Sequence, residues 1–273
     1  MKVGSAGFHH PAVHAARLLQ QKKHRHERRC FLVEGPALVE AALRSGIAVN
    51  QVFYGDDGAI AGIRALLERT AAELTHVDAR TLASLSATRT PQAMVAVAPF
   101  FDRPLGQLPT ASAGERSFIL VLHELSDPGN AGTLVRSAEA FGARAVCFGP
   151  QAVEPYNDKV VRAAMGSLFR LPLFVYQDWA DFKTAAATSE LQLVGGDARA
   201  PDVRTVTLPS RMALLVGQER RGLRDIPAGD LHASVGLPQV GKAESLNAAV
   251  AGSLLLYETA RSLGILGAAR ENN

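Results

Sequence analysis

The stretch SDPGNAGTLVRSAEAFGA, from Ser126 to Ala143, sets two glycines and an asparagine at the mouth of a helix and an arginine two turns inside it. Helix N-terminal amides favour anions, and glycine lets a ligand approach the backbone closely. A phosphate-cradling loop is therefore one chemistry to consider. A dinucleotide site, however, needs G-x-G-x-x-G with an acidic residue about twenty positions on. Gly129 and Gly132 are arranged otherwise, which argues against a nucleotide-dependent oxidoreductase. Asn130 reads as a helix cap or as a site residue, and Arg136 as a surface ion-pair partner or as a cation held for a ligand. Glu219, between Gly217 and Gly222 in a loop, reads as a carboxylate that orients a base or binds a cation, or as a solvated loop charge. Ser245 and Asn247 open a helix expected to be largely buried. Buried polar side chains need partners, and either a site or simple capping supplies them.

These stretches leave strand ends in an alternating pattern. CFLVEG, VNQVFYG, LTHVD and QAMVAVAPF read as strands, separated by helical segments such as PALVEAALRSG and ARTLASLSAT. SFILVLHEL, ARAVCFG, LPLFVY, LQLVGG and RMALLVG continue the strand series, and a last helix carries Leu246, Val250, Leu254 and Tyr257 at helical spacing. Repeated strand–helix alternation implies α/β architecture, with a mostly parallel sheet covered by helices on both faces. Ligands in such sheets bind beyond the carboxyl ends of the strands, where all three unusual loops lie. The organisation expected is a basic N-terminal arm with a helix over 1–29, a compact α/β module over 30–99, a Pro/Gly/Ser-rich linker over 100–116, and a second module over 117–267.

The chain has 273 residues, 47% hydrophobic and 20% charged, which describes a core-forming protein and excludes a disordered one. The two cysteines, Cys30 and Cys147, lie in or beside apolar runs and read as thiols in a reducing compartment. The apolar runs are far shorter than the ~20 residues a membrane span requires, and no signal peptide is recognised, so a cytoplasmic protein is expected. The net charge of +3 is unevenly placed: residues 1–30 carry seven lysines and arginines against one glutamate, and five of the eight histidines. A concentrated basic arm is an electrostatic footprint for a polyanion, although a solvated helix end has the same composition. His10 and His14 are spaced for one helix face but lack a third ligand, so no metal site is expected. His123 and Ser126 lack the third member of a hydrolase triad.

Taken together, the three loops resemble the signature motifs of the SpoU (TrmH-type) branch of the SPOUT RNA methyltransferases. Asp127, Pro128, Gly129, Asn130, Gly132, Arg136, Ser137, Ala138, Gly142 and Ala143 match the first. Gly217, Glu219 and Gly222 match the second, and Leu237, Pro238, Gly241, Ser245, Leu246 and Asn247 the third. Gln218 stands where an asparagine is usual, and Arg220 where a glycine is common. KKHRHERRCFLVEGPALVEAAL and TRTPQAMVAV look like the opening and close of that family's small substrate-binding domain, related to ribosomal protein L30e. MGSLFRLPL is typical of the segment between the first two motifs.

The resemblance implies an S-adenosylmethionine-dependent transfer of methyl to a ribose 2′-hydroxyl of RNA. Ribosomal RNA is the expected substrate, with transfer RNA or a non-catalytic RNA-binding role as alternatives. It also implies a deep trefoil knot in the second module and a homodimer. On that match Asn130, Arg136, Glu219, Ser245 and Asn247 form the catalytic set, and loops around Gly217, Ile226, Leu237 and Leu246 hold the cofactor. Lys22, Lys23, Arg25, Arg28 and Arg29 then have RNA phosphates as their partner.

Overall fold

A computed structural model describes residues 2–88, 90–110, 112, 114–218, 221–241 and 245–267. In chain order the elements are β1 (Lys2–Ser5), α1 (Pro11–Leu18), α2 (Lys22–Arg28), β2 (Cys30–Glu34), α3 (Pro36–Arg44), β3 (Gln51–Tyr54), α4 (Asp57–Ala61), α5 (Arg64–Glu68), β4 (Glu73–His76), α6 (Ala79–Leu85) and β5 (Met94–Pro99). There follow β6 (Ser117–Leu122), α7 (Pro128–Ala140), β7 (Val146–Phe148), α8 (Asp158–Ala163), α9 (Ser167–Arg170), β8 (Leu173–Val175), α10 (Trp179–Thr188), β9 (Gln192–Gly196), β10 (Arg211–Val216), β11 (Ala233–Val235) and α11 (Ala248–Ser262). The chain divides into two compact units. One comprises Met1–Phe101 with Tyr156–Phe169, the other Asp102–Pro155 with Arg170–Asn273.

In the first unit a five-stranded sheet runs in the order β1-β4-β3-β5-β2, with β5 antiparallel to both neighbours. Val13 and Ala16 of α1 pack with Phe53, Leu82, Leu85 and Val95 in its core. The single basic helix expected near the N-terminus is two. α1 ends at Leu18, and the buried Arg25 of α2 donates Nη1 to the carbonyls of Leu19 (2.9 Å) and Gln20 (2.9 Å). A cation on the last carbonyls of a helix satisfies acceptors that the helix itself leaves open. The Glu34 carboxylate accepts from Ser86 Oγ, Thr88 Oγ1 (2.9 Å) and the amides of Ala87 (3.3 Å) and Gln92 (3.3 Å), which fixes the loop after α6. Tyr156 stacks on Phe100 at 3.8 Å and accepts from the Phe101 amide through its hydroxyl, which brings residues 156–169 into this unit. The uninterrupted second module expected over 117–267 is thus broken at that segment.

In the second unit a six-stranded sheet has the order β11-β9-β10-β6-β7-β8, and every pairing in it is parallel. Ile119, Val121, Ala213 and Leu215 face Phe182 and Ala186 of α10. Strand side chains alternate between faces, and on the opposite face Val216 meets Gly252 of α11, which packs against α7. Helices therefore cover both faces, as expected. Part of the expected linker belongs to this unit: the Arg103 amide donates to Leu173 O (2.8 Å), and Leu108 is buried in the core. Cys147 is buried in β7. Among the described residues no helix is long and apolar enough to cross a membrane, and no group of His, Cys, Asp or Glu is placed to hold a metal ion.

Candidate active site

The sequence around α7 makes a strong helix start. Asp127 Oδ1 accepts from the Asn130 amide at 2.7 Å, and Pro128 occupies the first helical position. Asp127, not Asn130, is thus the cap, and the Asn130 side chain is released for another partner. That partner is Asn247, whose Nδ2 donates to Asn130 Oδ1 at 3.1 Å across 117 residues of chain. Asn247 Oδ1 meanwhile accepts from the amides of Ala249 (2.8 Å) and Val250 (3.2 Å), capping α11. One asparagine therefore caps a helix and ties it to a second helix start. The N-termini of α7 and α11, thirteen and fifteen residues long, lie side by side with their positive dipole ends together.

Close packing behind these ends holds them in place. A Cβ on Gly252 would lie 2.5 Å from Leu134 Cδ2, so any larger residue there must displace the Leu134 side chain for α11 to lie this close to α7. Ser137 and Ser253 hydroxyls meet at 2.7 Å along the same contact. Arg136 sits on the outer side of α7, with Leu134, Val135 and Ala138 buried behind it. Its guanidinium is exposed and forms no ion pair among the described residues.

The second loop begins where β6 and β10 end together, with the His123 amide donating to Val216 O at 3.0 Å. Gln218 and Gly222 exchange both backbone hydrogen bonds, at 3.2 and 2.8 Å, and Gly222 has φ 61°. Gly217 is buried in this turn, and its missing Cβ would fall 2.2 Å from Gly222 O. Gln218 Oε1 is enclosed and without a hydrogen-bond partner among the described residues. Ile226 is buried against the core, Leu237 is half-buried, and Ser245 and Leu246 are exposed. Glu219 and Arg220 lie outside the described residues.

At the mouth of this loop the buried Glu124 adopts φ 56°. Burial first, and then the neighbouring charge of Asp225, pushes its carboxyl above the usual carboxylate range. Burial lowers the His123 imidazole below its usual value, and its Nδ1 lies 2.9 Å from Tyr176 Oη.

The five basic residues expected to meet RNA divide. Lys22, Lys23, Arg28 and Arg29 are exposed, and Arg29 lies over the Phe100 ring at 4.9 Å. Arg25 is 4% exposed and holds the Leu19 and Gln20 carbonyls at the end of α1, so its charge serves the fold. Charge counting along a sequence does not see burial. Four features were missed altogether: the Asp127 cap, although Asp-Pro before an apolar helix is a readable start signal, the Asn130–Asn247 bond, the enclosed Gln218 oxygen and the Ser137–Ser253 pair.

Residues 117–257 match the model of the SpoU rRNA Methylase family, and residues 10–96 that of the MRM3-like substrate binding domain. The chain is 31% identical over 241 residues to the 23S rRNA (guanosine(2553)-2′-O)-methyltransferase RlmP of Bacillus subtilis, covering 88% of this chain and 92% of that protein. It is 31% identical over 241 residues to a 23S rRNA (uridine(2479)-2′-O)-methyltransferase of Streptomyces viridochromogenes, covering 85% and 82%. The crystal structure of an AdoMet-bound rRNA methyltransferase from Sinorhizobium meliloti superposes with a TM-score of 0.85 at 29% identity, covering 95% of this chain and 98% of the other.

Proposed function

Because the chain belongs to the SpoU rRNA methylase family, we propose that it transfers a methyl group from S-adenosylmethionine to a ribose 2′-hydroxyl of large-subunit ribosomal RNA, in the cytoplasm. The observation that carries this reading is the Asn130–Asn247 bond, which joins two helix N-termini beside the exposed Arg136. The relatives named for 23S rRNA support the substrate, and the AdoMet-bound neighbour supports the cofactor.

When bound, S-adenosylmethionine supplies a methyl group on a sulfonium, open to in-line displacement. Positioning then contributes much of the rate. Gly217, Ile226, Leu237 and Leu246 line the proposed cofactor pocket, and the enclosed Gln218 oxygen fits a donor amine or hydroxyl of that molecule. The O–CH3 bond would form as the S–CH3 bond breaks and S-adenosylhomocysteine leaves, the 2′-oxygen gaining negative charge as its proton passes to solvent. Aligned helix N-termini favour that charge. A guanidinium stays protonated in proteins, so Arg136 acts as a fixed cation that stabilises the developing alkoxide and holds the adjacent phosphate. Ser245 and Glu219 complete the proposed polar set around the ribose. On the first unit, Lys22, Lys23, Arg28 and Arg29 are proposed phosphate contacts.

The reading includes a homodimer. Val250, Leu254 and Tyr257, at 50, 45 and 41% exposure, form an apolar stripe along α11, and Leu246, just before its cap, is 37% exposed. A self-complementary patch of this kind is what a two-fold interface buries. A trefoil knot is proposed where the chain leaves β11: Gly236 donates to Pro201 O (2.7 Å) and accepts from the Val203 amide (2.9 Å), so this segment runs against the loop after β9.

Incubation with radiolabelled S-adenosylmethionine and separated 23S rRNA, 16S rRNA and tRNA tests the proposal. Label in 23S rRNA at a position resistant to alkaline cleavage is expected. Label confined to tRNA, or in no RNA, overturns it.

A further inference from the structure

The loop between β1 and α1 carries a charged aromatic cluster that the reading above leaves unused. The Phe8 ring lies 5.2 Å from His9, edge to face. The Arg17 guanidinium carbon is 4.0 Å from the Phe8 centroid, and that of Arg80, next to the start of α6, is 5.0 Å from it. Arg17 is fixed, since its Nη2 donates to Phe8 O (3.1 Å) and to Ser84 Oγ (3.1 Å). Arg80 is exposed. Neither arginine has a carboxylate partner at ion-pair distance among the described residues. Asp78, two residues before Arg80, uses its carboxylate to cap α6 through the Thr81 amide at 2.7 Å.

Two like charges are thus gathered on one ring. The ring's π face offsets part of their repulsion, and an anion held by the exposed Arg80 would offset more. His9, which packs on Phe8, is exposed, as are His10 and His14 in the same stretch of chain. His10 Nδ1 accepts from the Ala12 amide at 3.2 Å and so caps α1. β1 sets this loop in position: it pairs with β4, and the Ala6 amide donates to His76 O at 3.0 Å. Phe8 and His9 precede the matched substrate-binding domain, which begins at residue 10.

We propose that the Phe8–Arg17–Arg80 cluster binds a phosphodiester of the RNA substrate, as a second contact surface separate from the basic face of α2. This rests on the proposed RNA substrate. Guanidinium forks match phosphate oxygens in pairs, which a lysine-rich surface does not do. Phe8 and Arg17 hold the geometry, and Arg80 reaches the phosphate.

The test measures 23S rRNA binding by the full chain over a salt series, for the parent, Arg80→Glu, Arg80→Lys, Phe8→Ala and a Lys22→Glu/Lys23→Glu double variant. Thermal unfolding and S-adenosylmethionine binding serve as folding controls. Arg80→Glu should weaken RNA binding by about tenfold and flatten the slope of log K against log salt by about one. Arg80→Lys should retain more affinity than Arg80→Glu, and Phe8→Ala should fall between the parent and Arg80→Glu. RNA affinity within twofold of the parent for both Arg80→Glu and Phe8→Ala overturns the assignment, whatever α2 contributes. A parent that binds RNA but does not methylate it sinks the proposed function and leaves the cluster standing. A parent that methylates RNA while both Arg80→Glu and Phe8→Ala bind within twofold of it does the reverse.

Discussion

At the scale of the residue, Arg136 and Asn247 carry the account. Arg136 is exposed with no ion-pair partner among the described residues, so its charge is available to a ligand. Arg136→Ala should lower the methyl-transfer rate by about 10²–10³-fold, the usual cost of losing one transition-state donor. Arg136→Lys keeps the charge without the fork and should recover part of that loss; initial rates under saturating cofactor decide. Asn247 does two things at once, and two variants separate them. Asn247→Ala removes the cap of α11 and should cost about 1 kcal/mol, read as a lower Tm. Asn247→Asp keeps the capping oxygen but loses the donor to Asn130, so it should keep most of the Tm and still lose activity. The sequence left Asn130 open between cap and site residue. The structure removes the cap reading, because Asp127, one helical turn earlier, already caps α7. The bond from Asn130 to Asn247 spans the whole unit, and no local pattern records it.

At the scale of the element, α11 shows where periodicity informs and where it does not. Val250, Leu254 and Tyr257 do share one helical face, as their spacing indicates, but Leu246, expected on the same helix, lies before its Asn247 cap. That face is exposed, while Ala249, Gly252, Leu255, Leu256, Thr259 and Ala260 are buried. A helix with apolar residues on both sides gives no signal for which side meets its own core, and here the side with Gly252 does, where α7 comes close. Gly252→Ala should therefore cost about 1–3 kcal/mol through overpacking against Leu134, measured by denaturant unfolding. Leu254→Glu, on the other side, should convert a dimer to a monomer in sedimentation equilibrium; an unchanged dimer contradicts the proposed interface. Short elements were harder to read. β1 has four residues and no alternating pattern, yet it brings Phe8 beside α6.

At the scale of the whole molecule, the strand–helix alternation made the α/β class and the two-module order legible. The placement of residues 156–169 was not, because it depends on Tyr156 stacking on Phe100, a contact between distant parts of the chain. The excess positive charge of residues 1–30 was legible as a total, but its division into a structural Arg25 and exposed neighbours was not. The central claim is methyl transfer to 23S rRNA through the site at the paired helix starts. It is tested most directly by mapping alkali-resistant 2′-O-methylation in 23S rRNA treated with the parent enzyme and with Arg136→Ala. The account expects one modified ribose with the parent and a signal reduced at least a hundredfold at equal times with the variant. Equal modification by both, or none by the parent, would contradict it.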